Sequence, residues 1–197
     1  MPQFAVAGQG RVTLWNPDTA ERIVTVRTPS SWCTGIAYSP DGLRVAVCGQ
    51  DGRAHVVDCE SQALVASFDA HVLPARAIAF SHDGSQLFTA GDDARLAVWD
   101  VSDGGGGAAS STPLIASIAG HTGSVTALSS SPDRPLLASG SADTTLRIWD
   151  MRKREQLHLF DSNVDRLQAV VWSLDGSRVA SASDSGTLGL FLVSAVL

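Results

Sequence analysis

Basic residues are scarce. Fourteen Lys and Arg stand against 20 Asp and Glu, a net charge of −6 over 197 residues, so the average surface does not suit a phosphate backbone or an anionic bilayer, and only a local basic patch stays open. Cysteine is scarcer still: Cys33, Cys48 and Cys59 form an odd set without C-x-x-C spacing. Neither a disulfide framework nor a zinc site is expected, and a reducing compartment, cytosol or nucleus, is. No charged stretch followed by an apolar run opens the sequence, and its most apolar segment, "LGLFLVSAVL" at 188–197, is about half the length that a membrane helix requires. It reads as a strand. A phosphate-cradling glycine loop, a metal-ligand cluster and a strand-to-helix nucleophile elbow are also missing, so no cofactor, no metal and no catalysis are expected. With 44% hydrophobic residues the chain can still bury a sizeable core.

What the sequence does have is repetition. The turns "SPDG" (39–42), "SHDG" (81–84), "SPDR" (131–134) and "SLDG" (173–176) are offset by 42, 50 and 42 residues. The pairs Trp15-Asn16, Val57-Asp58, Trp99-Asp100, Trp149-Asp150 and Phe191-Leu192 step by 42, 42, 50 and 42. Both series lengthen at the same place, where "DGGGGAASS" (103–111) reads as a flexible surface loop of Gly and Ser. Without it, one period remains.

Each period carries four short runs of Val, Ile, Leu, Ala and Phe separated by Asp-Gly-type turns, which is strand chemistry. In the second unit these are "CTGIAYS", "LRVAVCG", "RAHVVD" and "ALVASFD", named here strands a to d. A four-stranded antiparallel sheet that is apolar on both faces must lie between copies of itself, which predicts an all-β propeller. The boundaries are a partial blade at 1–31, blades at 32–73, 74–122 and 123–165, and a partial blade at 166–197, all in one domain.

One constellation recurs inside the period. Asp93, Thr89 and His71 precede Trp99 by 6, 10 and 28 residues, and Asp143, Ser139 and His121 precede Trp149 by the same intervals. A Ser, a His and an Asp suggest a hydrolase, but an active site is seldom duplicated in adjacent repeats, and an acyl-transfer site also needs an oxyanion hole. The alternative is a buried hydrogen-bond chain from indole N–H to hydroxyl to imidazole to carboxylate, tying strands c and b, the b–c turn and the d–a loop into one corner. The second unit has Asp51 but Val47 and Pro29 at the Ser and His places, the fifth has Ser181 but Asn163 and Ser185, and the first has neither polar partner for Trp15. Those blades are expected to be held mainly by packing.

Gly120-His121 followed by Trp149-Asp150 at this period resembles the WD40 repeat, and the four-residue constellation resembles that family's structural tetrad. The resemblance implies a ring, commonly of seven blades, in which a chain ending after strand c takes its last strand d from the N-terminus. Here the chain begins with strand b, so about two further blades would be needed to close the ring. The expectation is a piece of a longer protein, or a chain completed by another, with open blade edges prone to self-association.

The wording of "IAYSPDG" (36–42) and "HVLPARAIAFSHDGSQLFTAGDDARLAVWDV" (71–101), with the order of intact and degenerate blades, resembles the last five blades of the WD-repeat subunits of the superkiller and polymerase-associated factor complexes. That resemblance implies a scaffold in messenger RNA decay and transcription elongation, cytoplasmic and nuclear, holding a helical-repeat partner, with no direct nucleic-acid or membrane contact. In the WD40 frame the outward positions on the narrow face, formed by the d–a and b–c loops, fall on Trp32, Gln50, Arg76, Asp92 and Arg166. Trp and Arg dominate interface energetics, and Trp32 in "TPSSWC" stands out as a large aromatic in a polar loop. A competing signal is Trp149-Asp150-Met151-Arg152. It reads W-D-x-R and resembles the motif by which substrate receptors of cullin-RING ubiquitin ligases dock on their adaptor, although charges are expected anyway in the turn "MRKRE".

Overall fold

The computed structural model describes residues 3–102, 114–161, 163 and 165–193; the Gly/Ser insertion at 103–111 lies outside them. Eighteen strands form five antiparallel sheets, and there is no helix among the described residues. The first sheet is β1 (Phe4–Gly8), β2 (Arg11–Trp15) and β3 (Arg22–Arg27). The second comprises β4 (Cys33–Tyr38), β5 (Arg44–Gly49), β6 (Arg53–Asp58) and β7 (Ala63–Asp69). The third comprises β8 (Ala75–Phe80), β9 (Gln86–Gly91), β10 (Arg95–Asp100) and β11 (Leu114–Ala119). The fourth is β12 (Val125–Ser130), β13 (Leu136–Ser141), β14 (Leu146–Asp150) and β15 (Glu155–Phe160), and the fifth is β16 (Leu167–Trp172), β17 (Arg178–Ser183) and β18 (Leu188–Leu192). Each sheet pairs its strands in chain order, so strands a to d of the repeat become one propeller blade apiece.

The turns explain the regularity. In the a–b hairpin of blade 2, Ser39 Oγ donates to Asp41 Oδ1 at 2.5 Å and accepts from Arg44 N at 2.9 Å, while Gly42 adopts φ 71°. Ser81, Asp83 and Gly84 in blade 3 and Ser173, Asp175 and Gly176 in blade 5 repeat the arrangement. A side chain at that φ would be strained, so the Ser-x-Asp-Gly wording is a turn specification.

Four apolar cores fill the spaces between consecutive sheets. Leu146 and Ile148 of blade 4 are 0% and 1% exposed against blade 5, whereas Leu188 and Leu190, one period later, are 80% and 65% exposed. The residues are equally apolar in both blades. Burial is supplied by the neighbouring sheet, at about 1.5–3 kcal/mol per large aliphatic side chain.

Candidate functional site

At one rim of blades 3 and 4 the d–a loop folds over the b–c turn, and the repeated constellation lies beneath it. His71 Nδ1–H donates to the Asp93 carboxylate at 2.9 Å, Thr89 Oγ1 donates to His71 Nε2 at 2.9 Å, and Trp99 Nε1–H donates to Thr89 Oγ1 at 3.0 Å. In blade 4 the distances are 2.9 Å from His121 to Asp143, 2.7 Å from Ser139 to His121 and 2.8 Å from Trp149 to Ser139. The carboxylate can only accept, so the ring must donate through Nδ1, and the hydroxyl proton then goes to Nε2. Both hydroxyl residues are fully buried. No substrate reaches them, and the relay joins four chain segments.

Blade 4 adds a second layer. Asp143 also accepts from the Thr145 hydroxyl at 2.7 Å and from Thr122 N at 2.9 Å. Burial raises the affinity of that carboxyl for a proton, but these donors outweigh it and hold it well below the usual carboxylate range. Burial likewise holds the His121 ring below its ordinary value of 6.5, against the pull of Asp143.

Blade 2 is not held by packing alone. Ser30 Oγ donates to Asp51 Oδ1 at 2.8 Å and lies 2.6 Å from Nε2 of His55, a fully buried residue on β6. The hydroxyl proton is committed to the carboxylate, so the ring donates through Nε2, the tautomer opposite to that of His71 and His121. The hydroxyl now comes from the loop and the imidazole from the sheet, but on strand c, while Val47 keeps the strand-b place that Thr89 and Ser139 fill in blades 3 and 4. The sequence reading missed the pair because it placed Pro29 and Val47 at the tetrad positions. The signal was a lone His inside the apolar run "RAHVVD". In blade 5, Ser181 Oγ reaches Asn163 Oδ1 at 3.3 Å, a single bond in place of the relay, and in blade 1 Trp15 stacks on Phe4, ring centroids 6.2 Å apart.

The relays fix the outward residues. Ser30 lies two residues before Trp32, whose carbonyl accepts from Gln50 N at 3.0 Å. Trp32 is thus held beside Gln50, 52% exposed on a pinned loop. Arg76 and Asp92, both at outward places where a contact or a local pairing of the arginine was open, form a bidentate pair of 2.9 and 2.6 Å. Those hydrogen bonds hold the Asp92 carboxyl below its usual range, and Arg166 in blade 5 adds to the attraction. Gln168 and Asp184 make the corresponding contact in blade 5 at 2.6 Å. Blades 2 and 4 carry Thr34 and Thr126 at that place and use them differently: Thr34 Oγ1 donates to Ala75 O of the next blade at 2.5 Å, and Thr126 Oγ1 donates to Leu167 O of the next. The face therefore alternates between pairs within a blade and bridges between blades.

Of the W-D-x-R segment, Trp149 is 2% exposed and engaged with Ser139. Asp150 Oδ1 caps the c–d turn by accepting from Arg152 N at 2.8 Å and Lys153 N at 3.0 Å. Only Arg152 presents its side chain to solvent.

Stacked four-stranded sheets with polar relays at their corners define a repeat-built β-propeller protein. The family model described as "WD domain, G-beta repeat" matches residues 20–58, 62–100 and 112–150, more than half of the chain. The chain belongs to the WD40-repeat family. Among curated proteins it is 29% identical over 201 residues to a guanine nucleotide-binding protein subunit beta of Zea mays. It is 27% identical over 200 residues to that of Solanum tuberosum and 29% over 202 to that of Arabidopsis thaliana. Each match covers 92% of this chain and 50% of the relative, so the chain spans about half the length of these proteins. They lend no support to the narrower superkiller likeness of the loop wording.

Proposed function

We propose that the protein is a non-catalytic scaffold that holds a protein partner on the rim formed by the d–a and b–c loops, with Trp32 as the anchor. The observation that carries this is a half-exposed indole on a loop pinned from below by Ser30, Asp51 and His55. Rigid aromatic anchors contribute most to binding because little conformational freedom is lost when they are covered. Gln50 and Arg166 are the polar neighbours on the same rim, and Arg76 with Asp92 stiffens it. No cofactor is part of this reading.

Two assemblies fit such a scaffold. The loop wording supports a subunit of the superkiller or polymerase-associated factor complex, working in cytoplasm and nucleus; the curated relatives, named as subunits of guanine nucleotide-binding proteins, support a signalling heteromer. Affinity purification of wild-type and Trp32→Ala protein tests the site, and the identity of the lost partner separates the assemblies. A helical-repeat subunit marks the first and a G-protein subunit the second; a cullin adaptor lost with Arg152→Ala instead would move the site to the other rim. Loss of the partner at unchanged melting temperature is the expected outcome, whereas retained partner with a lowered melting temperature would reduce Trp32 to a packing residue.

A further inference from the structure

The opposite rim, where a–b and c–d turns gather, differs between two blade junctions. Between blades 2 and 3, Arg44 at the start of strand b crosses to the next blade. Its guanidinium donates to Val101 O at 2.5 Å and Gly84 O at 3.0 Å and lies 5.7 Å from the Phe80 ring centre. Between blades 3 and 4 the same positions hold Gln86 in place of Arg44 and Ser130 in place of Phe80. Both are shorter, and the space they leave is a cleft of about 310 Å³. Its floor includes Met151 and Leu136, and its edge carries Arg152 and Arg154.

The charge of that edge is out of keeping with the chain. Arg152, Lys153 and Arg154 are consecutive and exposed in a protein of net charge −6, and among the described residues none of the three has an ion-pair partner. Their backbone is fixed by the Asp150 cap, by Arg154 N donating to Asp150 O at 2.6 Å and by a left-handed φ of 61° at Arg154. Three cations on a rigid turn beside an open cleft are arranged to receive carboxylates. Nucleic acid fits less well: Phe88 is buried and offers no face for a base, and a floor of Met151 and Leu136 suits apolar side chains that a sugar–phosphate backbone lacks.

We propose that the cleft between blades 3 and 4 docks an extended acidic segment of a protein partner, its carboxylates on Arg152 and Arg154 and its intervening side chains above Met151 and Leu136. The site is on the rim opposite Trp32 and does not depend on the function proposed above. A fluorescein-labelled oligo-glutamate peptide, titrated by anisotropy against the full chain, tests it. Arg152→Glu and Arg154→Glu are each expected to weaken binding by about tenfold at unchanged melting temperature, and Trp32→Ala to leave it unaltered. Gln86→Arg separates the cleft from mere surface charge: it restores the filling seen at Arg44, so a peptide in the cleft is expelled although a cation has been added. Tighter binding by Gln86→Arg, indifference to both charge reversals, or equal competition by oligouridylate would each overturn the proposal.

Discussion

Blades 3 and 4 on one side and blade 2 on the other solve the same problem with the same side-chain types in different places. In blades 3 and 4 the imidazole sits in the middle, donating to Asp through Nδ1 and accepting a hydroxyl proton at Nε2, with every polar atom satisfied. In blade 2 the hydroxyl of Ser30 sits in the middle and His55 is the end of the chain, with a buried Nδ1 that has no partner among the described residues. Both arrangements lock the d–a loop to the Asp of the b–c turn. The difference teaches that this corner requires a bridge between loop and turn, and that the order of groups within the bridge is free. It also ranks them: an imidazole in the middle takes a bond from both its hydroxyl and its carboxylate neighbour when lost, whereas one at the end takes only one.

The sharpest way to break that contrast is at the indole. Trp149→Ala leaves a cavity and removes the donor to Ser139, and is expected to cost about 3–5 kcal/mol in chemical denaturation. Val57, at the same place in blade 2, makes no such hydrogen bond. Next in size, His121→Leu should cost about 1–3 kcal/mol because Asp143 and Ser139 lose their shared partner in a buried site. His55→Leu should cost less than about 1 kcal/mol, since Ser30 keeps Asp51 and an unpartnered nitrogen disappears. Equal losses from the two leucine variants would show that position in the relay is irrelevant.

Acid should act more gently. Burial is the first cause that lowers both His121 and His55 below 6.5, so between the folded and unfolded values the unfolded chain binds more protons. Their contribution to stability is complete above about 6.5 and declines as pH falls beneath it. Asp143, held low by its donors, and Asp83, held at about 2 by the Ser81 hydroxyl, act with the same sign lower down, complete above their ordinary 3.8 and lost on further acidification. Melting temperature against pH should therefore fall in two steps, and the double variant His55→Leu/His121→Leu should flatten the upper one. The smallest effect is spectroscopic: nitrogen chemical shifts should report Nδ1–H for His71 and His121 and Nε2–H for His55. A common tautomer in all three would dissolve the distinction between the blades.

Much of this was legible in the chain. The period, the strand count and the spacing of Trp99 and Trp149 from their partners lie on a lattice that the backbone merely follows. The Ser30–His55 pair was not legible, because its members stand off that lattice by one and two positions and meet only when the loop folds over strand c. A local pairing of Arg76 could be weighed, but not that Asp92 is its partner: an outward position says which way a side chain starts and not what it finds. The alternation of Thr34 and Thr126 bridges with the Arg76 and Gln168 pairs likewise needs the neighbouring blade in place.

By itself the sequence determined the blade, since alternating apolar runs and Ser-x-Asp-Gly turns act over a few residues and leave the backbone little choice. Only the tertiary structure decided which apolar positions are buried, which polar groups meet and where a junction is left open. Those depend on what the adjacent sheet presents across the gap, as the contrast between Ile148 and Leu190, or between Arg44 and Gln86, makes plain.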